Sequence, residues 1–176
     1  MQQLNNKTIW QSISFLLLFL FLGCEGAKEE VDPRGTYIAD KPIVIDYKGS
    51  DLYVHPIDNA EYIPWGDSPL STGATSENKG GENTRQITEV FGEGEYAAYI
   101  CDTLKAYGYN DWYLPAIEEL NAIYSNYEKM IDLESDNYWS STEVSNNRAW
   151  WQNFYDGARD TIKKYNNGTV RCVRRE

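Results

Sequence analysis

The chain is short of the residues most catalysis needs. Among 176 residues there is one histidine, His55, and only three cysteines, Cys24, Cys101 and Cys172. One histidine cannot build a two-histidine metal site, and no cysteine pair stands at zinc spacing. Ser-His-Asp catalysis would have to run through His55, and no serine is flanked by the glycines of a nucleophile elbow. His55, in a predicted strand beside Pro56, therefore reads as a structural histidine. No EF-hand calcium loop occurs. The sequence thus points to no metal and no cofactor. Positive charge is also scarce. Sixteen Lys and Arg face 27 Asp and Glu, giving a net charge of −11. Such an acidic chain is a poor partner for nucleic acid. Internal repeats and low-complexity tracts are absent too.

The single long apolar run, Ile13 to Leu22, is broken only by Ser14. At about ten residues it is too short to span a bilayer and suits the apolar region of a signal peptide. Lys7 precedes it and Phe21-Leu-Gly-Cys24 ends it, which resembles a bacterial lipobox. Residues 1–23 read as a lipoprotein signal peptide and Cys24 as the lipidated first residue of the mature chain. An ordinary secretory peptide with an incidental cysteine is the alternative. Residues 24–34, charged and nearly free of large apolar side chains, read as a flexible acidic tether. Lys28-Glu-Glu30 resembles the acidic tags of surface lipoproteins. These features predict a lipid-anchored protein of the bacterial cell envelope, at the outer membrane and facing the periplasm or the surface.

Residues 35–176 read as one domain. Aromatics are abundant, with 14 Tyr and 6 Trp; both types bring apolar area with a polar handle and suit binding surfaces. Thr36–Ala39, Ile43–Tyr47 and Leu52–His55 are strand-like, and Pro56–Gly81 reads as a long loop. A short helix capped by Asn83 would bury Ile87, Val90 and Phe91 and stop at Gly92. A second is predicted from about Glu95 to Tyr107, stopped by Gly108. A third starts at Pro115, with Ile117, Leu120, Ile123, Tyr124, Tyr127, Met130 and Ile131 as its apolar stripe and Glu118 and Glu119 in its first turn. Strands follow at Tyr138–Thr142, Arg148–Tyr155, Ala158–Tyr165 and Thr169–Arg174. In Arg148–Tyr155, alternation puts Trp150, Gln152 and Phe154 on one face and Trp151, Asn153 and Tyr155 on the other.

The elbow Gly108-Tyr-Asn-Asp-Trp-Tyr-Leu-Pro115, followed by Glu118-Glu-Leu120, resembles the signature of the Lcl C-terminal domain family. Tyr138-Trp-Ser-Ser-Thr142, Ala149-Trp150, Phe154, Gly157 and Val170-Arg-Cys-Val-Arg174 are similar to its second half, in order. Gly73-Ala-Thr75, Asn83-Thr84 and Ala97-Ala98 resemble the upstream region of its lipoprotein members. Ala116 departs from the family's usual Thr or Ser and forfeits a side-chain cap, a loss of ~1 kcal/mol.

The resemblance implies an α+β, C-type-lectin-like fold: two main helices plus antiparallel sheets, with the N- and C-terminal strands adjacent. Asp111, Trp112, Leu114, Pro115, Trp139, Trp150 and Phe154 would be its structural positions. It also implies a bridge between a helix and the last strand, Cys101 to Cys172; two buried thiols are the alternative. Known members act as adhesins or ligand-binding modules, at least one of them on sulfated glycosaminoglycans, and no reaction is established. The calcium tripeptides of sugar-binding C-type lectins are missing, as is the reactive cysteine pair of the related formylglycine-generating enzymes.

Two functions stay open. The first is a non-enzymatic module binding a glycan or protein. Trp151 and Tyr155 would form a stacking platform, Asn146, Asn147 and Asn153 would supply hydrogen bonds, and Arg148 and Arg159 would pair with an anionic group. The second is an envelope hydrolase using paired carboxylates.

Overall fold

A computed structural model describes residues 30–31, 37–38, 40–66, 69–131, 133–134 and 136–176. The residues read as a signal peptide, Cys24, and most of those read as a tether lie outside the described residues. None of the described helices is long and apolar enough to cross a membrane.

The fold is α+β, with three helices and antiparallel or mixed sheets. A two-residue pair, β1 (Glu30–Val31) and β2 (Tyr37–Ile38), comes first. The hairpin β3 (Ile43–Tyr47) and β4 (Ser50–Val54) follows. Its turn, Lys48 and Gly49, has φ of 55° and 78°, the paired left-handed geometry that matches strand twist. Alternation holds in both strands: Ile45, Tyr47, Leu52 and Val54 are buried. The final strand, β10 (Val173–Arg175), pairs with β4, so the order is β10-β4-β3 and the first hairpin and last strand share a sheet. That sheet packs on Ile117, Leu120, Ile123 and Tyr138 to form one apolar cluster.

The larger sheet runs β5 (Ala60–Pro64), β9 (Asn167–Val170), β6 (Asn137–Ser145), β7 (Arg148–Asn153), β8 (Arg159–Lys163). Only the β6–β9 pairing is parallel. A second cluster gathers Trp65, Ile87, Ala97, Ala98, Cys101, Trp112, Leu114, Trp139, Val170 and Cys172. Cys101 and Cys172 form a disulfide, with Cα atoms 5.4 Å apart.

Several boundaries differ from the sequence reading. Helix α1 (Gly80–Phe91) starts three residues before Asn83. Asn83 is buried inside it, accepting from Ser76 N at 3.1 Å and donating to Ser76 O at 2.6 Å, so it stitches the preceding loop to the helix. Gly80 lets the chain pass close to its neighbours: a Cβ there would sit 2.5 Å from Glu119 Oε2 and 2.6 Å from Leu114 O.

Helix α2 (Ala97–Asp102) ends well short of Tyr107. The Thr103 hydroxyl bonds Tyr99 O at 2.7 Å and competes with the ladder. Gly108 serves a tight turn instead of a helix stop: Tyr107 and Gly108 have φ of 56° and 79°, and Ala106 and Tyr109 exchange backbone bonds of 2.9 and 3.1 Å. Helix α3 (Ile117–Ser125) is followed by a single 3-10 turn, Tyr127–Lys129. Pro115 stands two residues before it, and Tyr127 is exposed rather than part of a buried stripe. Asn126, whose amide bonds Ala122 O at 3.0 Å, ends the helix.

The loop expected over Pro56–Gly81 contains β5, disguised by a bulge and by Tyr62 at φ 55°. The expected last strand is two, β9 and β10 in different sheets, because Arg171 and Cys172 between them are committed to a buried ion pair and to the disulfide.

Candidate ligand-binding site

The elbow is built as a clamp. Asp111 accepts both Nε and Nη2 of Arg174, at 2.7 and 3.0 Å, and this bonding holds its carboxyl below the usual range. The Arg174 guanidinium lies 3.8 Å from the Tyr109 ring centroid and 4.8 Å from that of Tyr53, a stacked cation–π arrangement. Trp112, Leu114 and Pro115 are buried beneath it. Tyr113 exchanges backbone bonds with Val173 at 2.8 and 3.0 Å, so the elbow is tied to the last strand.

Ala116 offers no side-chain acceptor to α3. The first turn is served from elsewhere: Thr142 Oγ1 takes the Ile117 N–H at 3.0 Å and Glu77 O takes that of Glu118 at 3.0 Å. The buried Glu119 carboxylate accepts from Gly80 N, Ala116 N and the Tyr113 hydroxyl at 2.9 to 3.0 Å, joining the starts of α1 and α3.

Two buried ion pairs escaped the sequence reading. Glu143 and Lys164 pair with both side chains essentially inaccessible, and Glu143 also accepts Thr72 N and Gly73 N. Asp58 meets Arg171 at 2.7 Å and the Tyr138 hydroxyl at 2.9 Å; burial pushes its carboxyl up to about 6 against the pull of Arg171. These are charged residues in or beside strand segments, and nothing local in the sequence separates them from exposed ones. His55 is buried against Tyr107 and Trp112, each ring 5.5 Å away, with Nδ1 2.9 Å from Ile57 O. Burial lowers its pKa to about 4. Among the described residues no three His, Cys, Asp or Glu side chains gather as a metal site.

The expected binding residues do not converge on one surface. Trp151 pairs across the strands with Trp139, ring centroids 5.6 Å apart, and is half-buried against the cluster under α1 and α2. Tyr155 lies beyond the end of β7, so the two share no strand face. Asn146 and Asn147 sit in the β6–β7 turn. Asn153 is at the opposite end of β7, roughly 17 Å away at strand rise. Its side chain holds the next turn, accepting Tyr155 N at 2.8 Å and donating to Asn137 Oδ1 at 3.1 Å. Arg148 is tied to Thr161 on β8, and Arg159 to Glu118 at 2.8 Å.

What the fold does assemble is a seam between α3 and β7. Trp150, Gln152 and Phe154 line its strand side; both rings are half-buried, Phe154 stacking on Tyr138 at 4.3 Å and meeting Tyr124 at 5.5 Å. At the seam's α3 C-terminal end is a cavity of about 360 Å3 lined by Tyr124, Tyr127, Leu133, Glu134, Phe154 and Tyr155. Tyr127 is 66% exposed and Tyr155 79%. Gly157 is required beside this cavity: its φ is +79° and a Cβ would stand 2.4 Å from the Tyr124 ring. At the other end a cavity of about 350 Å3 is lined by Glu77, Ile117, Glu118, Trp150 and Arg159. Both volumes are at the small end of ligand sites.

Tyr155 and Arg159 stood among the expected binding residues; Tyr124 and Tyr127 did not. Their position at the frayed end of α3 was masked by their fit to a helical stripe. No curated protein matches the chain. The family model described as the Lcl C-terminal domain matches residues 57–174, which contain the elbow, both ion pairs, the disulfide and the whole seam. With that match over well more than half its length, the chain belongs to the Lcl C-terminal domain family.

Proposed function

We propose that this protein is a non-enzymatic lipoprotein of the bacterial cell envelope whose domain binds a glycan through the aromatic cup formed by Tyr124, Tyr127, Phe154 and Tyr155. The observation that carries the reading is the cup: four rings around one cavity, two of them largely exposed. Aromatic faces left to water at a concave site suit the apolar face of a sugar ring. The net charge of −11 favours a neutral or cationic ligand over a sulfated or nucleic-acid polyanion. Family membership supports a ligand-binding role, and the sharing of one sheet by the β3–β4 hairpin and the last strand suits a C-type-lectin-like arrangement. The lipobox-like Phe21-Leu-Gly-Cys24 supports anchoring through Cys24 and an outer-membrane location, with a host or bacterial surface as the partner.

A hydrolase reading would draw on Glu77 and Glu118, two carboxylates on one cavity. Arg159 engages Glu118 at 2.8 Å, which weighs against Glu118 as a free general acid or base.

The test is a glycan array probed with the full chain in detergent, followed by Tyr155→Ala and Trp151→Ala. Tyr155→Ala should leave the melt within about 0.5 kcal/mol of wild type and weaken binding at least tenfold. Trp151→Ala should destabilise by about 3 kcal/mol, as packed tryptophans do, and leave affinity per folded molecule unchanged. Binding indifferent to Tyr155 would remove the cup from the site.

A further inference from the structure

We propose that the cavity bounded by Glu77, Glu118, Trp150 and Arg159 is a second subsite, one that takes the primary ammonium group of an amino sugar in the same glycan. This rests on the glycan reading and narrows it to a chain of several sugar units bearing a free amine.

The geometry supplies the linkage. Trp150 lies on β7 and Phe154 one residue past its end, both packed on the same apolar cluster and up to about 13 Å apart at strand rise. Ile117 and Tyr124 are seven apart on α3, about 10 Å at helix rise. The two cavities are therefore consecutive stations on one seam, farther apart than a single ring can bridge.

The chemistry of the second station differs from that of the cup. Trp150 contributes a π surface, the best aromatic partner for a cation. Glu118 gives Oε1 to Arg159, which leaves Oε2 open. Glu77 is exposed, and its carboxylate carries no hydrogen bond or ion pair to a described residue. With Arg159 offsetting one carboxylate, the lining holds one unbalanced negative charge, which a single ammonium would neutralise. Between the stations Gln152 donates to Asn121 Oδ1 and Gly157 O, at 3.0 and 3.1 Å, while its buried Oε1 has no partner.

The experiment is calorimetry of the full chain in detergent, at pH 5.5, against a glucosamine tetramer and its fully N-acetylated counterpart. The free-amine tetramer should bind about tenfold more tightly, the gain expected of a cation–π contact with an adjacent carboxylate. Glu77→Gln should erase that preference and leave affinity for the acetylated tetramer unchanged. Glu93→Gln, on the exposed link between α1 and α2, removes the same charge and should keep the preference. Equal affinity for the two tetramers in the wild type, or a preference lost equally in both variants, overturns the subsite while leaving the glycan reading intact. A lysine-bearing peptide that binds more tightly than either tetramer, and depends on Glu77, overturns it in favour of a protein partner. If neither tetramer binds and the array is also blank, the glycan reading fails and the subsite with it.

Discussion

Removing the Cys101–Cys172 bridge should lower the melting temperature by roughly 15 °C. The two cysteines are 71 residues apart. In the chain-entropy model, opening a loop of that length restores about 15 cal/mol/K to the unfolded state, or ~4.4 kcal/mol at 25 °C. A domain of about 140 residues unfolds with an entropy near 0.3 kcal/mol/K, which converts that loss into the stated shift. Both sulfurs are fully buried among Trp112, Leu114 and Val170, so lost packing must be separated from lost closure. Three variants do this: Cys101→Ala, Cys172→Ala and the double substitution. Each lacks the same cross-link, so closure predicts three similar melts, with the double far less damaging than the sum of the singles. Thermal unfolding followed by circular dichroism, with the oxidised wild type as reference, reads it directly. Additive shifts of a few degrees each would refute the reasoning, because the sulfurs would then matter only as core volume.

Two further outcomes follow from buried charge. Asp58→Asn should cost about 3–5 kcal/mol in urea denaturation, since it removes the carboxylate charge that faces the wholly buried Arg171 guanidinium, which the His55 and Ile131 carbonyls at 3.1 and 3.4 Å do not replace; a loss under 1 kcal/mol would mean that the pair is dispensable. His55, lowered from 6.5 to about 4 by burial, must stay neutral in the folded chain while the unfolded chain protonates. Its contribution is therefore present above pH 6.5 and lost as pH falls from 6.5 towards 4, by ~3 kcal/mol. Asp58, pushed up to about 6, acts in the opposite sense over an overlapping range. The readout is accordingly the difference from His55→Asn, which keeps a donor for Ile57 O. Wild type should lose ~3 kcal/mol relative to that variant between pH 7.5 and 4, and parallel pH profiles would contradict it.

Local signals carried much of the fold. The alternation of Ile45, Tyr47, Leu52 and Val54 marks the first hairpin, and Pro115 with Leu114 marks the approach to α3. The errors come from residues whose chemistry fits two structures. Gly108 at positive φ suits a helix stop and a tight turn alike, and the pairing of Ala106 with Tyr109 decides for the turn. Alternation separates Trp150 from Trp151 correctly, but β7 is an interior strand with packing on both faces, so neither tryptophan is an outward one. The cup was half legible. Tyr155 reads as a binding aromatic from the face of a strand that in fact ends two residues before it, whereas Tyr127 reaches the cavity because α3 stops at Ser125. The pairs Glu143–Lys164 and Asp58–Arg171 join positions 21 and 113 residues apart, a partnership only the folded chain reveals.

The placement of the bridge also has a mechanical consequence. A pull on the amino end of the chain reaches the domain at β3, the edge of its three-stranded sheet, and meets hydrogen bonds that yield one after another. Peeling can proceed through β3, β4, β5 and α1, paying out about 200 Å of chain at full extension, until it reaches Cys101. There it stops at a covalent bond, because residues 101–172 form a closed loop. The aromatic cup lies wholly inside that loop, whereas Glu77 of the second cavity lies outside it. Tension would therefore strip the second cavity of a carboxylate first and lengthen the connection, while the four rings of the cup remain within the locked part of the molecule.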